Sequence, residues 1–240
     1  MIVMADWIPK TELGKEVAEG RITSLDEIFD DGRKIKESQI VDKLLPGLQN
    51  ELIFIGGSPG KGGGNKKTPT KRTAKMHRSG RRYSISAVVV VGDGSKYIGI
   101  GKSEALENRE AIEKAMEKAK LNIMPVKKGC GSWECDCGEG HSIPLEIEGK
   151  RGSVRVVLKP APKGVGLVVS NEAKKIMRLA GIKDIWSKSF GETHSRINYV
   201  DAIYIAFKKI NGMRLMVEEV NAAKAEGVAD DAEATETEAV

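Results

Sequence analysis

Cys130, Cys135, Cys137 and His141 lie within one glycine-rich stretch, and the chain has no other cysteine. The pattern C-x4-C-x-C-x3-H supplies four soft ligands of the kind a structural zinc site uses. Gly129, Gly131, Gly138 and Gly140 would let the backbone fold around an ion. The familiar C-x2-C knuckle is missing, and the single residue between Cys135 and Cys137 makes a tight chelate. The competing reading is three partly buried thiols in a glycine-rich loop with a surface histidine. An odd number of cysteines excludes a complete disulfide framework.

A second cluster is electrostatic. Residues 61 to 82 carry nine Lys or Arg and no Asp or Glu, which more than accounts for the net charge of +5. The same stretch is rich in Gly, Thr and Ser and cannot bury a core of its own. Concentrated positive charge without acids calls for a polyanion, and nucleic acid is the leading candidate. Lys66, Lys67, Lys71, Arg72, Lys75, His77, Arg78, Arg81 and Arg82 are the expected phosphate contacts. Lysine acts there as a point charge and arginine as a fork. Arg155, Lys159 and Lys163 extend the expected RNA-binding set further along the chain. Gly80, before Arg81 and Arg82, permits a close turn. A solvated basic linker is the bland alternative, but a generic linker carries mixed charges.

Enzymatic readings find little support. Gly101-Lys102-Ser103 matches the end of a Walker loop, but Lys96 stands where the leading Gly is required. Three histidines and no singled-out nucleophile leave no acid/base set, so the chain reads as a non-enzyme. Aromatic residues at 5% argue against a surface built to stack single-stranded bases. No apolar run approaches the roughly 18 residues a membrane span needs. The N-terminus does not read as a signal peptide, so a cytoplasmic location is expected.

The elements that must position these residues follow from periodicity. Tyr83 to Val91 reads as a strand, Asp93-Gly94 as a hairpin turn and Lys96 to Gly101 as the return strand. Ser103 is the expected cap of a helix running to about Asn122, with Ala105, Ile112, Ala115, Met116, Ala119 and Ile123 on one face. Strands are expected at Ser142 to Ile147, Ser153 to Leu158 and Ile182 to Ser187. Helices are expected at Asn171 to Ala180 and Ser195 to Ile210. Met76, Met124, Met177 and Trp186 are most simply packing residues. The organisation expected is an N-terminal extension (1–60), a basic RNA-contacting arm (61–82), a first α+β domain (83–141), a second (142–212) and an acidic disordered tail (213–240). The arm is expected as a loop feeding the first strand.

The stretch from Thr68 to Gly94 resembles the entry to the universal small-subunit ribosomal protein five family. Gly129-Cys130-Gly131-Ser132-Trp133-Glu134-Cys135 is similar to its archaeal branch. Gly152 to Arg155, Pro160 to Gly164 and Leu179 to Trp186 are similar to blocks of its second domain, and the likeness spans roughly residues 5 to 212. It implies an α+β fold: a double-stranded-RNA-binding-like domain followed by a second small α+β domain. It further implies small-subunit rRNA as partner, small-subunit proteins four and eight as neighbours, a place near the messenger RNA entry and a link to decoding accuracy. Pro162 to Leu167 is also similar to a loop of small-molecule kinases that share the second domain's fold. A free double-stranded-RNA binder and such a kinase are the alternatives.

Overall fold

The computed structural model describes residues 7–213 apart from 60, 62, 63, 136, 138 and 139. The expected acidic tail lies outside the described residues, except for Met213.

Three short helices open the chain: α1 (Glu12–Ala18), α2 (Leu25–Asp30) and α3 (Ser38–Leu44). Thr11 and Ser24 cap the first two by accepting from backbone amides three residues on. Leu13, Val17, Leu25, Ile28, Ile40 and Val41 pack together and reach Tyr97 and Ile123, so this extension is docked on the first sheet.

That sheet is built around β5 (Gly80–Gly92), a strand of 13 residues. Its far half pairs with β1 (Gln49–Leu52) on one edge, and its near half pairs with β4 (Thr70–His77) on that same side. The other edge pairs with β6 (Tyr97–Ala105), which pairs in turn with β7 (Ile123–Pro125). Ala87, Val89 and Val91 face α4 (Asn108–Leu121) through Ala111, Ala115 and Ala119. Val88 and Val90 face the other way, into a core shared with the second half of the chain. Burial on both faces is why the sequence runs Val-Val-Val-Val there instead of alternating. Gly99 and Gly101 let α4 lie close, because a Cβ at either would stand 2.2 Å from Ala119 O or 2.0 Å from Ala115 O.

The second sheet has the order β10 (Leu167–Val168), β11 (Ile185–Phe190), β9 (Val154–Pro160), β8 (Ile147–Arg151). Helices α5 (Asn171–Leu179) and α6 (Arg196–Gly212) cover its inner face with Ile176, Met177, Val200, Ile203 and Phe207. Two α+β units are therefore present, as expected.

Several elements differ from expectation. Ser103 is buried in β6 and caps nothing; the strand runs to Ala105, because its first half-turn of expected helix is used to pair with β5. The helix begins at Asn108 behind Glu107. Strands expected from Ser142 and Ile182 begin instead at Ile147 and Ile185. The residues ahead of them are occupied by a backbone bridge between Gly129 and Ser142 and by the tie from Ile182 N to Met177 O. Ser195 makes no side-chain cap bond. Met124 and Met177 are buried, whereas Met76 is 78% and Trp186 36% exposed.

The largest difference is the basic stretch. It is not a loop: β3 (Asn65–Thr68) pairs with β2 (Gly56–Pro59), and β4 continues into a hairpin with β5. The two turn residues Arg78 and Ser79 are followed by Gly80 at φ +108°, a conformation that suits glycine. The near half of β5 extends beyond the core, and β4 satisfies its ladder. That explains order without a core.

Candidate metal centre and nucleic-acid interface

The loop that carries the cysteines is pinned at its neck. Gly129 N donates to Ser142 O at 3.1 Å, Ser142 N donates back at 3.0 Å, and Gly131 N donates to Ile143 O. Gly131 is required at this neck, since a Cβ would stand 2.0 Å from Pro144 O. Within the loop, the sulfurs of Cys130, Cys135 and Cys137 and a ring nitrogen of His141 all lie within 4.8 Å of one another. Sulfurs at Zn–S bonds of about 2.3 Å in a tetrahedron are separated by roughly 3.8 Å, so the cluster is the size such an ion needs. His141 Nε2 faces Cys135 Sγ at 3.6 Å. His141 Nδ1 lies 2.9 Å from Asp184 Oδ2, with both side chains under a tenth exposed. That contact is close but not aligned as a hydrogen bond, and Nδ1 has no hydrogen-bond partner among the described residues. A carboxylate behind a histidine whose second nitrogen faces thiols is the usual outer shell of a metal-binding histidine. Four protein ligands and no open position suit a structural ion, not a catalytic one.

The thiols are electrostatically unequal. A hydrogen bond from the Lys163 backbone amide, helped by Cys137, His141 and Cys130, lowers Cys135 to about 6. Burial, with hydrogen bonds to Cys137 and Cys135, pushes Cys130 up to about 11. One thiolate is thus available at neutral pH to begin capturing a cation.

The basic ribbon presents a different geometry. Lys66, Lys67, Lys71, Arg72, Lys75, His77, Arg78, Arg81 and Arg82 are all exposed. Register places Lys75 directly opposite Arg82 and Met76 opposite Arg81. Paired residues share a face, so one face carries Lys71, Lys75, His77 and Arg82 and the other Arg72, Met76, Arg81 and Tyr83. None of these cations forms a salt bridge among the described residues. Arg72 lies over the Tyr83 ring at 3.6 Å, and Arg82 Nη2 donates to Ser79 Oγ. Like charges facing each other across a ladder are destabilising. Their persistence without acids is what a polyanion-binding surface looks like.

The three later basic residues are placed otherwise. Arg155 lies on the outer face of the second sheet, over the Phe190 ring and 3.7 Å from Glu148. Lys159 is 3.2 Å from Glu146. Lys163 is exposed on the loop beside the cysteines, away from the ribbon in sequence and sheet. Sequence reasoning missed Asp184, which carries no metal signal in a linear reading because it lies more than forty positions from His141. It also missed Tyr83 as the partner of Arg72.

Comparison with known proteins agrees with this arrangement. Residues 68–127 match the family model "Ribosomal protein S5, N-terminal domain", and residues 149–221 match "Ribosomal protein S5, C-terminal domain". The chain is 46% identical over 215 residues to small ribosomal subunit protein uS5 of Nanoarchaeum equitans, covering 90% of this chain and 92% of that protein. It is 48% identical over 202 residues to the protein of the same name from Aeropyrum pernix, covering 84% and 86%. For Methanocaldococcus jannaschii the identity is 46% over 211 residues, covering 88% and 90%. Two ordered domain matches, a double-stranded-RNA-binding-like first unit and relatives aligned over most of their length lead to one conclusion: the chain belongs to the ribosomal protein S5 family.

Proposed function

We propose that this protein is a structural, non-enzymatic constituent of the small ribosomal subunit that holds rRNA through its β4–β5 ribbon. The observation that carries the reading is the acid-free ribbon, in which Lys75 faces Arg82 and neither has a salt-bridge partner among the described residues. Phosphates supply that counter-charge, and two faces of one ribbon let it sit between two backbone segments. Such contacts position the protein rather than read sequence. Lys66 and Lys67 on β3 widen the basic surface, and Lys163 adds a separate cation on the second unit. Arg155 and Lys159 are weaker candidates, being already paired with Glu148 and Glu146.

The cysteine cluster holds a structural zinc ion through Cys130, Cys135, Cys137 and His141. When bound, the ion supplies cross-linking of a loop that has few apolar contacts of its own. We propose further that the protein sits near the messenger RNA entry, beside small-subunit proteins four and eight, where a rigid rRNA contact supports accurate decoding.

One experiment addresses both parts: sedimentation of the tagged protein from cells, through a high-salt wash, followed by metal analysis. The expected result is retention with small subunits and one zinc per chain. A protein that washes free and binds duplex RNA alone would instead favour an extra-ribosomal binder. Less than about half an equivalent of zinc after gentle purification would sink the metal assignment.

A further inference from the structure

Asp184 stands between the cysteine cluster and the loop that carries Lys163. Its Oδ2 is 2.9 Å from His141 Nδ1. Its Oδ1 accepts from the backbone amides of Gly164 at 3.1 Å and Gly166 at 2.7 Å. A second tie is independent of this carboxylate: the Lys163 amide donates to the sulfur of Cys135. A third runs from Ala161 N to Ser142 Oγ at 3.2 Å, just beyond His141. Four successive anchor points of one short loop therefore end on the cysteine stretch or on the carboxylate behind its histidine. The loop needs these anchors. Gly164 and Gly166 take φ +95° and +76°, and a Cβ at either would meet nothing within 4 Å. Hydrogen bonds hold the backbone here, and Ile185 N adds one to Gly166 O at 3.1 Å from the strand side.

We propose that Asp184 is a positioning residue that couples metal occupancy to the conformation of the Lys163 loop, so that this cation is presented to RNA phosphate only when the cluster holds its ion. The inference rests on the zinc reading above. A metal held by Nε2 would leave the remaining ring proton on Nδ1, 2.9 Å from Asp184 Oδ2, where electrostatic attraction holds the carboxylate. Fixing Oδ2 fixes Oδ1, which holds Gly164 and Gly166. The ion also keeps Cys135 deprotonated and in place as the acceptor for the Lys163 amide. With the ion gone, the thiols are tied only by weak hydrogen bonds, so the loop opens more readily and, when open, loses acceptors at two levels at once.

Trypsin reads this directly in the full-length protein, because the Lys163–Gly164 bond is cleavable only when the loop opens. Cleavage after Lys75, in the ribbon, serves as the internal reference. If opening requires metal release, zinc at one hundred times its Kd should slow cleavage after Lys163 by roughly 100-fold relative to zinc-stripped protein. Cleavage after Lys75 should not change. Asp184→Asn keeps an acceptor for the two glycine amides but removes the charge facing His141. It should weaken zinc roughly 10–100-fold in competition with a chromophoric chelator, and protection of Lys163 should move to correspondingly higher zinc. Stoichiometric zinc with equal Lys163 cleavage in both wild-type forms would overturn the coupling and leave the zinc reading standing. Unchanged zinc affinity in Asp184→Asn would remove Asp184 from the path. Absence of bound zinc in the wild-type protein would overturn the coupling together with the reading beneath it. The wild-type comparison holds even if the variant does not fold.

Discussion

Replacing Lys75 by Thr should move stability and RNA affinity in opposite directions. Thr keeps a β-branched side chain suited to a strand, so the perturbation is chiefly the charge. In the free protein, Lys75 faces Arg82 across the ladder, and neither has a salt-bridge partner among the described residues. Like charges so placed cost roughly 0.2–1 kcal/mol, and full exposure with salt screening favours the low end. Lys75→Thr should therefore leave the free protein as stable or a few tenths of a kcal/mol more stable, a rise in Tm of about 1 °C for a chain of this size. Binding should respond the other way. One lost phosphate contact reduces the slope of log K against log salt by about 0.7–0.9. Between about 50 and 200 mM salt, the ratio of wild-type to variant affinity should then shrink about threefold. Adding Arg82→Thr completes a double-mutant cycle in which the coupling in free protein is repulsive. Filter binding to a small-subunit rRNA transcript across the salt series, with thermal melts of the free variants, measures both. An unchanged salt slope, or a variant clearly less stable than wild type, would refute the assignment of these residues to phosphate.

Two further outcomes are expected. Gly101→Ala should cost about 3 kcal/mol in denaturant unfolding, since its Cβ would stand 2.0 Å from Ala115 O of α4; Gly47→Ala, with open space around it, is the control. In zinc-stripped protein, iodoacetamide should modify Cys135 first, with a midpoint near its depressed value of about 6, and Cys130 last, its thiol being held up to about 11. Because the fold favours the Cys135 thiolate, its contribution to metal-free stability is complete above the ordinary thiol value of 9.0 and is lost as pH falls through about 6. Equal labelling rates for the two thiols would contradict the geometry.

The parts of the fold that were legible from sequence are those where a local rule and the tertiary environment agree. Asp93-Gly94 reads as a hairpin turn, and Asp93 does close one, accepting from the amides of Ser95, Lys96 and Tyr97. Ser170 caps α5, with Gly181 beyond its end at φ +69°. Where tertiary pairing competes, local rules lose. Ser103 has the chemistry of a cap, but eight residues of register with β5 keep it in a strand. The ribbon was read as unstructured because its composition offers no core, yet a ladder needs only a partner edge, and the long β5 provides one. The cysteine cluster was visible because its ligands are close in sequence. Asp184 was not, because a carboxylate behind a histidine is a relation in space. Lys159 and Arg155 carried the right charge, but the acids that answer them come from Glu146 and Glu148 on the neighbouring stretch.

The core shared by the two sheets bears on how the chain is made. Val88, Val90, Ile98 and Ile100 of the first unit lie in one cluster with Ile176, Ala180, Val200 and Phe207 of the second. The crossing is reinforced where Gly94 N donates to Leu179 O, Lys175 Nζ to Leu52 O and Arg196 Nη1 to Phe54 O. During synthesis from the N-terminus, the first sheet emerges with one face covered by α4 and the other bare until α5 and α6 follow. Cutting the gene at the boundary between the two family matches would leave that bare face permanently exposed. An uncovered apolar face of this kind is prone to aggregate, so maturation of the first unit waits on the last helix of the described chain.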